Sequence, residues 1–166
     1  MNKHLALTGL ILLLSSTVAF AGENPLLGTW KLKSFVREVA ATGERIHQFG
    51  EHPSGYLNYS ADGRKYFFIT SENRIRPHDA NLTDEERVKL HQTMLAYAGT
   101  YTLEADKVTH HIDISSNETS TGRNEVRFYK AEGNILTITT APNKSLVDGR
   151  EGRSIAVFEK VKTLPH

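Results

Sequence analysis

The chain has 166 residues, 20 basic and 19 acidic side chains, a formal net charge of +1 and no cysteine. A balance this close to neutral carries no electrostatic footprint for nucleic acid or for an anionic membrane surface. The lack of cysteine excludes disulfides, thiolate catalysis and Cys-based metal sites, so stability must come from a single hydrophobic core, which a chain of this length can build.

Residues 1–21 read as a signal peptide. Lys3 and His4 precede an apolar run that begins at Leu5, and Ala19-Phe20-Ala21 supplies a small-residue cleavage site before Gly22. The run is short for a bilayer span, although an uncleaved anchor is the alternative reading. Since no cysteine follows it, a lipoprotein anchor is excluded. The mature domain is then residues 22–166, with 19 basic and 19 acidic residues once Lys3 is removed. The leader looks bacterial. It predicts a periplasmic or secreted protein with no membrane span after cleavage.

Residues 27–39 predict a first strand, with Trp30, Leu32, Ser34 and Val36 on one face and Lys31, Lys33 and Phe35 on the other. A short strand is expected over 45–49. Residues 56–70 predict a hairpin about Asp62-Gly63, pairing Tyr59 with Tyr66 and Leu57 with Phe68. Its opposite face holds Tyr56, Asn58, Lys65, Phe67 and Ile69, which is greasy for a solvated surface and predicts a cover. After a polar connector, Thr83-Asp84-Glu85-Glu86 is a capping box that opens a helix over 83–97, stopped by Gly99. Such an insertion reads either as a lid or cover on a barrel, or as a structural plug.

Residues 97–115 predict the central hairpin, with Ala105-Asp106 as its two-residue connection. Leu103 then opposes Val108 and Tyr101 opposes His110, with Ile112 and Ile114 continuing the same face. Thr100, Thr102, Thr109, His111 and Asp113 take the polar face. A third hairpin spans 124–140. Turning at Glu132-Gly133 or at Gly133-Asn134 puts Arg127, Tyr129, Leu136 and Ile138 together, and this face is read as inward. Residues 154–161 close the sheet. The fold class is all-β: an eight- to nine-stranded antiparallel up-and-down barrel with one helix inserted mid-chain.

On these registers Leu57, Tyr59, Tyr66, Phe68 and Tyr101 point into the barrel, together with His110, Ile112, Arg127, Tyr129 and Ile138. Apolar walls with a few polar tips suit a small-molecule site. A buried guanidinium needs a partner, and Glu125, Glu159 or an anionic or carbonyl group of a ligand would serve. His110 reads as hydrogen-bonded to a neighbouring tyrosine such as Tyr101, as a ligand contact or general base, or as a metal ligand. It cannot chelate together with His111, because adjacent strand residues face opposite ways.

Several runs in order resemble the lipocalin-like domain family: Leu27-Gly28-Thr29-Trp30, Pro53-Ser54-Gly55-Tyr56-Leu57, Asp62-Gly63-Arg64, Tyr97-Ala98-Gly99-Thr100-Tyr101, Val108-Thr109-His110-His111 and the late Arg127. The resemblance covers nearly all of the mature chain. It implies a barrel whose base is closed by Trp30 against a late basic residue, here Lys160. It also implies that small hydrophobic molecules are bound, while some relatives act as isomerases or cyclases.

The function expected is therefore binding of a small hydrophobic or amphipathic molecule, with Arg127 meeting an anionic group. Two alternatives stand beside it. One is an isomerase or cyclase with His110 as base; the other is a side-chain-filled barrel that binds proteins through Tyr56, Phe67 and Ile69. No metal or cofactor is called for, and a homodimer is left open.

Overall fold

The computed structural model describes residues 24–145 and 148–162. The signal peptide expected at 1–21 lies outside the described residues. Eight long strands form the wall: β1 (Gly28–Val39), β3 (Ser54–Tyr59), β4 (Arg64–Thr70), β5 (Met94–Leu103), β6 (Lys107–Ser115), β7 (Asn124–Glu132), β8 (Ile135–Thr140) and β10 (Glu151–Lys160). The two-residue strands β2 (Arg45–Ile46) and β9 (Asn143–Lys144) pair alongside β1 and β10. All pairings are antiparallel, and β1 pairs with β10, so the sheet closes into an eight-stranded barrel without a free long edge.

The β5–β6 and β7–β8 hairpins keep the predicted registers near their turns, with Leu103 opposite Val108, Tyr101 opposite His110 and Tyr129 opposite Ile138. The β7–β8 connection is Gly133-Asn134, between the paired residues Glu132 and Ile135.

The β3–β4 hairpin differs from expectation by one residue. Its loop is Ala61-Asp62-Gly63 rather than Asp62-Gly63 alone. The Ser60 N–H donates to the Arg64 carbonyl at 2.8 Å, and Gly63 takes φ 82°, the left-handed position that a three-residue loop needs. Tyr59 therefore pairs with Lys65 and Leu57 with Phe67. A slip of one residue reverses every side chain of β4. Lys65, Phe67 and Ile69 are buried inside, whereas Tyr66 and Phe68, expected inside, are 47% and 48% exposed on the outer wall. The outer patch expected at Tyr56, Phe67 and Ile69 is accordingly not there. Tyr56 lies instead beside Phe68, with ring centroids 5.8 Å apart.

Two bulges reset the alternation elsewhere. In β1 the register shifts between Leu32 and Ser34, which turns Phe35 rather than Val36 toward the core cluster. In β5–β6 it shifts between Ala98 and Gly99, leaving Asp113 unpaired, so that Ile114 points outward and is 64% exposed.

The helix is shorter than expected. Thr83 caps it and the Thr83–Glu86 capping box forms, but α1 ends at Asp84–Gln92. From Met94 the chain is strand, because Leu95, Tyr97, Gly99, Tyr101 and Leu103 alternate with period two, the first three paired with β4 and the last two with β6. Helix α1 buries none of its residues. Of the face it was expected to cover, Lys65, Phe67 and Ile69 point inward and Tyr56 stays on the outer wall.

The base of the barrel is closed by Trp30, which is buried. Its Nε1 donates to the Leu26 carbonyl at 2.7 Å, and Lys160 Nζ stands 4.3 Å from the centre of its ring. Lys160 also donates to the Leu27 carbonyl. The late basic residue thus takes its expected place as a cation on the indole face. Leu26, Tyr59, Val108, Leu136 and Phe158 are among the buried side chains of the same core.

Candidate functional site

Beyond this packed core the barrel opens into a cavity of about 680 Å³. Its walls are built by inward positions of most strands: Phe35 on β1, Leu57 on β3, Phe67 on β4, Leu95 and Tyr97 on β5, His110 and Ile112 on β6, Arg127 on β7, Ile138 on β8, and Ala156 and Phe158 on β10. The β6–β7 loop contributes Thr119, Ser120 and Arg123, and the segment after β8 contributes Pro142, Asn143 and Lys144. A barrel of eight strands has room for one small ligand, and here the space remains open rather than filled by side chains. Helix α1 contributes no lining residue among those described.

Tyr97, His110, Glu125 and Arg127 stand on the neighbouring strands β5, β6 and β7. His110 is 1% exposed and lies between two tyrosines, Tyr59 Oη at 2.7 Å from Nε2 and Tyr97 Oη at 3.1 Å from Nδ1. One hydroxyl donates to the bare ring nitrogen while the ring N–H donates to the other, so a neutral imidazole satisfies both bonds. Burial holds the His110 pKa well below the usual histidine value, and Lys65 and Arg127 reinforce it. Burial likewise raises both tyrosines, Tyr59 strongly. The predicted partner Tyr101 is used elsewhere: its hydroxyl donates to the Ser60 carbonyl at 3.0 Å and accepts from Asn24 at 2.9 Å.

Arg127 is ion-paired with Glu125, two residues along the same face. Burial by itself weakens the guanidinium's charge. Tyr97 and Glu125 together outweigh it and keep the Arg127 pKa above its ordinary value. Of the carboxylates expected for this role, Glu125 is the one engaged; Glu159 pairs with Lys33 at 3.2 Å on the outside.

Lys65 was expected on the outer face. It is fully buried, its Nζ has no hydrogen-bond partner, and the nitrogen lies 3.5 Å from the centre of the Tyr97 ring. Burial first, and the nearby Arg127 second, push its pKa well below the ordinary lysine value.

Of the predicted site residues, Leu57, His110, Ile112, Arg127 and Ile138 come together on the cavity wall. Tyr59 stands behind His110. Tyr101 packs on Tyr59 with centroids 4.9 Å apart, away from the cavity. Tyr129 points its hydroxyl to the Ala105 carbonyl at 3.1 Å, beside the β5–β6 turn. Tyr66 and Phe68 are outside. Phe35, Lys65, Phe67, Ile69, Leu95 and Tyr97 are among the inward residues that sequence reasoning missed. The period-two run from Leu95 to Leu103 was the available signal for Leu95 and Tyr97. The three-residue reading of Ala61-Asp62-Gly63 was the signal for Lys65 and Phe67.

Among the described residues no three His, Cys, Asp or Glu side chains converge as a metal site. His111, on the outer wall, is tied to Asn124 at 2.8 Å. No helix among the described residues is long and apolar enough to cross a membrane.

The family model for the lipocalin-like domain matches residues 27–161, from just before β1 to just after β10. No curated protein matches the chain. The chain belongs to the lipocalin-like domain family.

Proposed function

We propose that this lipocalin-like barrel binds a small amphipathic molecule, with its apolar body against Phe35, Leu57, Phe67 and Ile138 and its polar end toward Arg127, Tyr97 and His110. The observation that carries this reading is a cavity of about 680 Å³ whose wall combines apolar side chains with Tyr97, His110 and the Arg127–Glu125 pair on three neighbouring strands. Burying about 300 Å² of apolar ligand surface contributes roughly 7 kcal/mol before ordering costs. Arg127 gives the site a preference for an anionic head group, at the expense of its bond to Glu125. The sequence of residues 1–21 makes the periplasm the compartment we propose. N-terminal sequencing of protein from a periplasmic extract should begin at Gly22, and a chain beginning at Met1 would overturn that assignment.

Titration with two fluorescent probes tests the binding reading: a dansylated undecanoate, which is anionic, and neutral N-phenyl-1-naphthylamine. Both should bind. Arg127→Ala should weaken the anionic probe by about tenfold or more, as loss of a charge-assisted bond implies, and the neutral probe by less than about threefold. Equal losses would remove Arg127 as an anion contact. Binding of neither probe would remove the cavity as a ligand site.

Catalysis by His110 as a base is less well supported. Both ring nitrogens are bonded to tyrosine hydroxyls, so one of those bonds must break before the imidazole can take a substrate proton.

A further inference from the structure

We propose that Lys65 is a covalent attachment point for an amphipathic aldehyde or ketone held in the cavity, its Nζ forming an imine with the carbonyl carbon. The inference rests on the cavity reading above and narrows its ligand class.

The three-residue β3–β4 loop turns Lys65 inward, where it is 0% exposed. Its Nζ has no hydrogen-bond acceptor, although a buried ammonium requires one. The groups facing it come from five strands. Its own strand offers the Phe67 ring at 5.7 Å, and β5 offers the Tyr97 ring at 3.5 Å. His110 on β6 is held by its two tyrosines, and Glu125 on β7 is taken by Arg127. Tyr59, its pairing partner on β3, is bonded to His110. Glu125 favours a charge on Lys65, but burial and Arg127 outweigh it.

The position of the amine relative to the cavity is the second observation. Phe67 and Tyr97 both line the cavity, and their ring centroids are 5.0 Å apart. Nζ lies over the Tyr97 ring and 5.7 Å from the centre of the Phe67 ring, so the amine neighbours two residues of the cavity wall. Parting the seam between those two rings brings the amine to the cavity wall. Desolvation beside another cation makes a lysine hold its proton less firmly than an exposed one, which favours the free amine that attacks carbonyl carbon. The step balances without an outside oxidant or reductant. The lone pair forms the C–N bond as the carbonyl π bond opens to oxygen. The carbinolamine then loses that oxygen together with both amine hydrogens as water, leaving C=N.

The test is incubation of the protein with decanal and sodium cyanoborohydride at pH 7, where the hydride reduces any imine to a stable secondary amine, followed by peptide mass mapping. Early in the reaction, N-decyl occupancy at Lys65 should exceed that at exposed Lys31 and Lys33 by about tenfold or more. Lys65→Met should lose this adduct and still bind N-phenyl-1-naphthylamine. Tyr97→Ala, which opens the seam, should speed labelling of Lys65. Labelling of surface lysines alone, with decan-1-ol still displacing the probe, overturns the covalent proposal and leaves the cavity reading standing. Failure of both decanal and decan-1-ol to displace the probe overturns both.

Discussion

His110 and Lys65 are the two residues whose protonation the interior resists most, and for both the cause is burial. Their ordinary values are 6.5 and 10.5, and each is lowered in the folded chain, so the unfolded chain binds more protons at both sites. Stability then falls as pH falls through each window: from 10.5 downward for Lys65, and from 6.5 downward for His110. Between pH 7.5 and 5 the wild type should lose stability more steeply than His110→Gln, by no more than about 1.4 kcal/mol per pH unit, measured by urea denaturation. Lys65→Met removes an unpartnered amine and keeps the side-chain volume. It should stabilise the protein by about 1–3 kcal/mol at pH 7, seen as a higher Tm in thermal unfolding. Glu125→Gln should free Arg127 and tighten the anionic probe relative to wild type. His110 and Arg127 were legible in the sequence because the Ala105-Asp106 turn fixes the first, and either turn open to the β7–β8 hairpin leaves the second on the same face. Lys65 was not, because a lysine in a strand reads as solvated unless its register is known, and one loop residue decides that register.

Among the elements, β5 shows how a local signal can mislead. Residues 83–86 are a helix start in sequence and in structure, but no comparably clear stop follows, and Leu90, Met94 and Tyr97 are spaced so that a helix can continue through them. Gly99 then looks like the terminator. Its role is different: it opposes Ile112 at the β5–β6 bulge, where a Cβ would lie 1.9 Å from the His111 carbonyl oxygen. The neighbour is backbone and cannot turn aside. Gly99→Ala should therefore cost more than about 2 kcal/mol, measured by chemical denaturation, and should weaken probe binding because Tyr97 and His110 flank the bulge. A neutral result would mean that the bulge relaxes without cost. Strand alternation gave the β5–β6 and β7–β8 registers near their turns, and loop length misplaced β4. Alternation failed beyond Lys33 and Asp113, since an inserted residue leaves no mark in composition.

At the scale of the whole molecule, closure joins β1 to β10, the first and last long strands, so the barrel is complete only when the chain is. A chain ending at Thr140 should expose the β1 and β8 edges and elute as aggregates in size exclusion, with no probe binding. The overall class was legible from turn spacing and alternation, because those follow from local chemistry; the open cavity was not, since whether eight strands are filled or hollow depends on side chains that meet only after closure. The seam where the ends meet is also where Trp30 lies, 1% exposed beneath Lys160, and it is the one tryptophan of the chain. The protein thus contains its own optical gauge of closure. Indole emission, excited apart from the tyrosines, comes from a single site at the barrel base, shielded from water while the first and last strands hold together. A red shift in that light marks the parting of the two ends, whatever occupies the other end of the barrel.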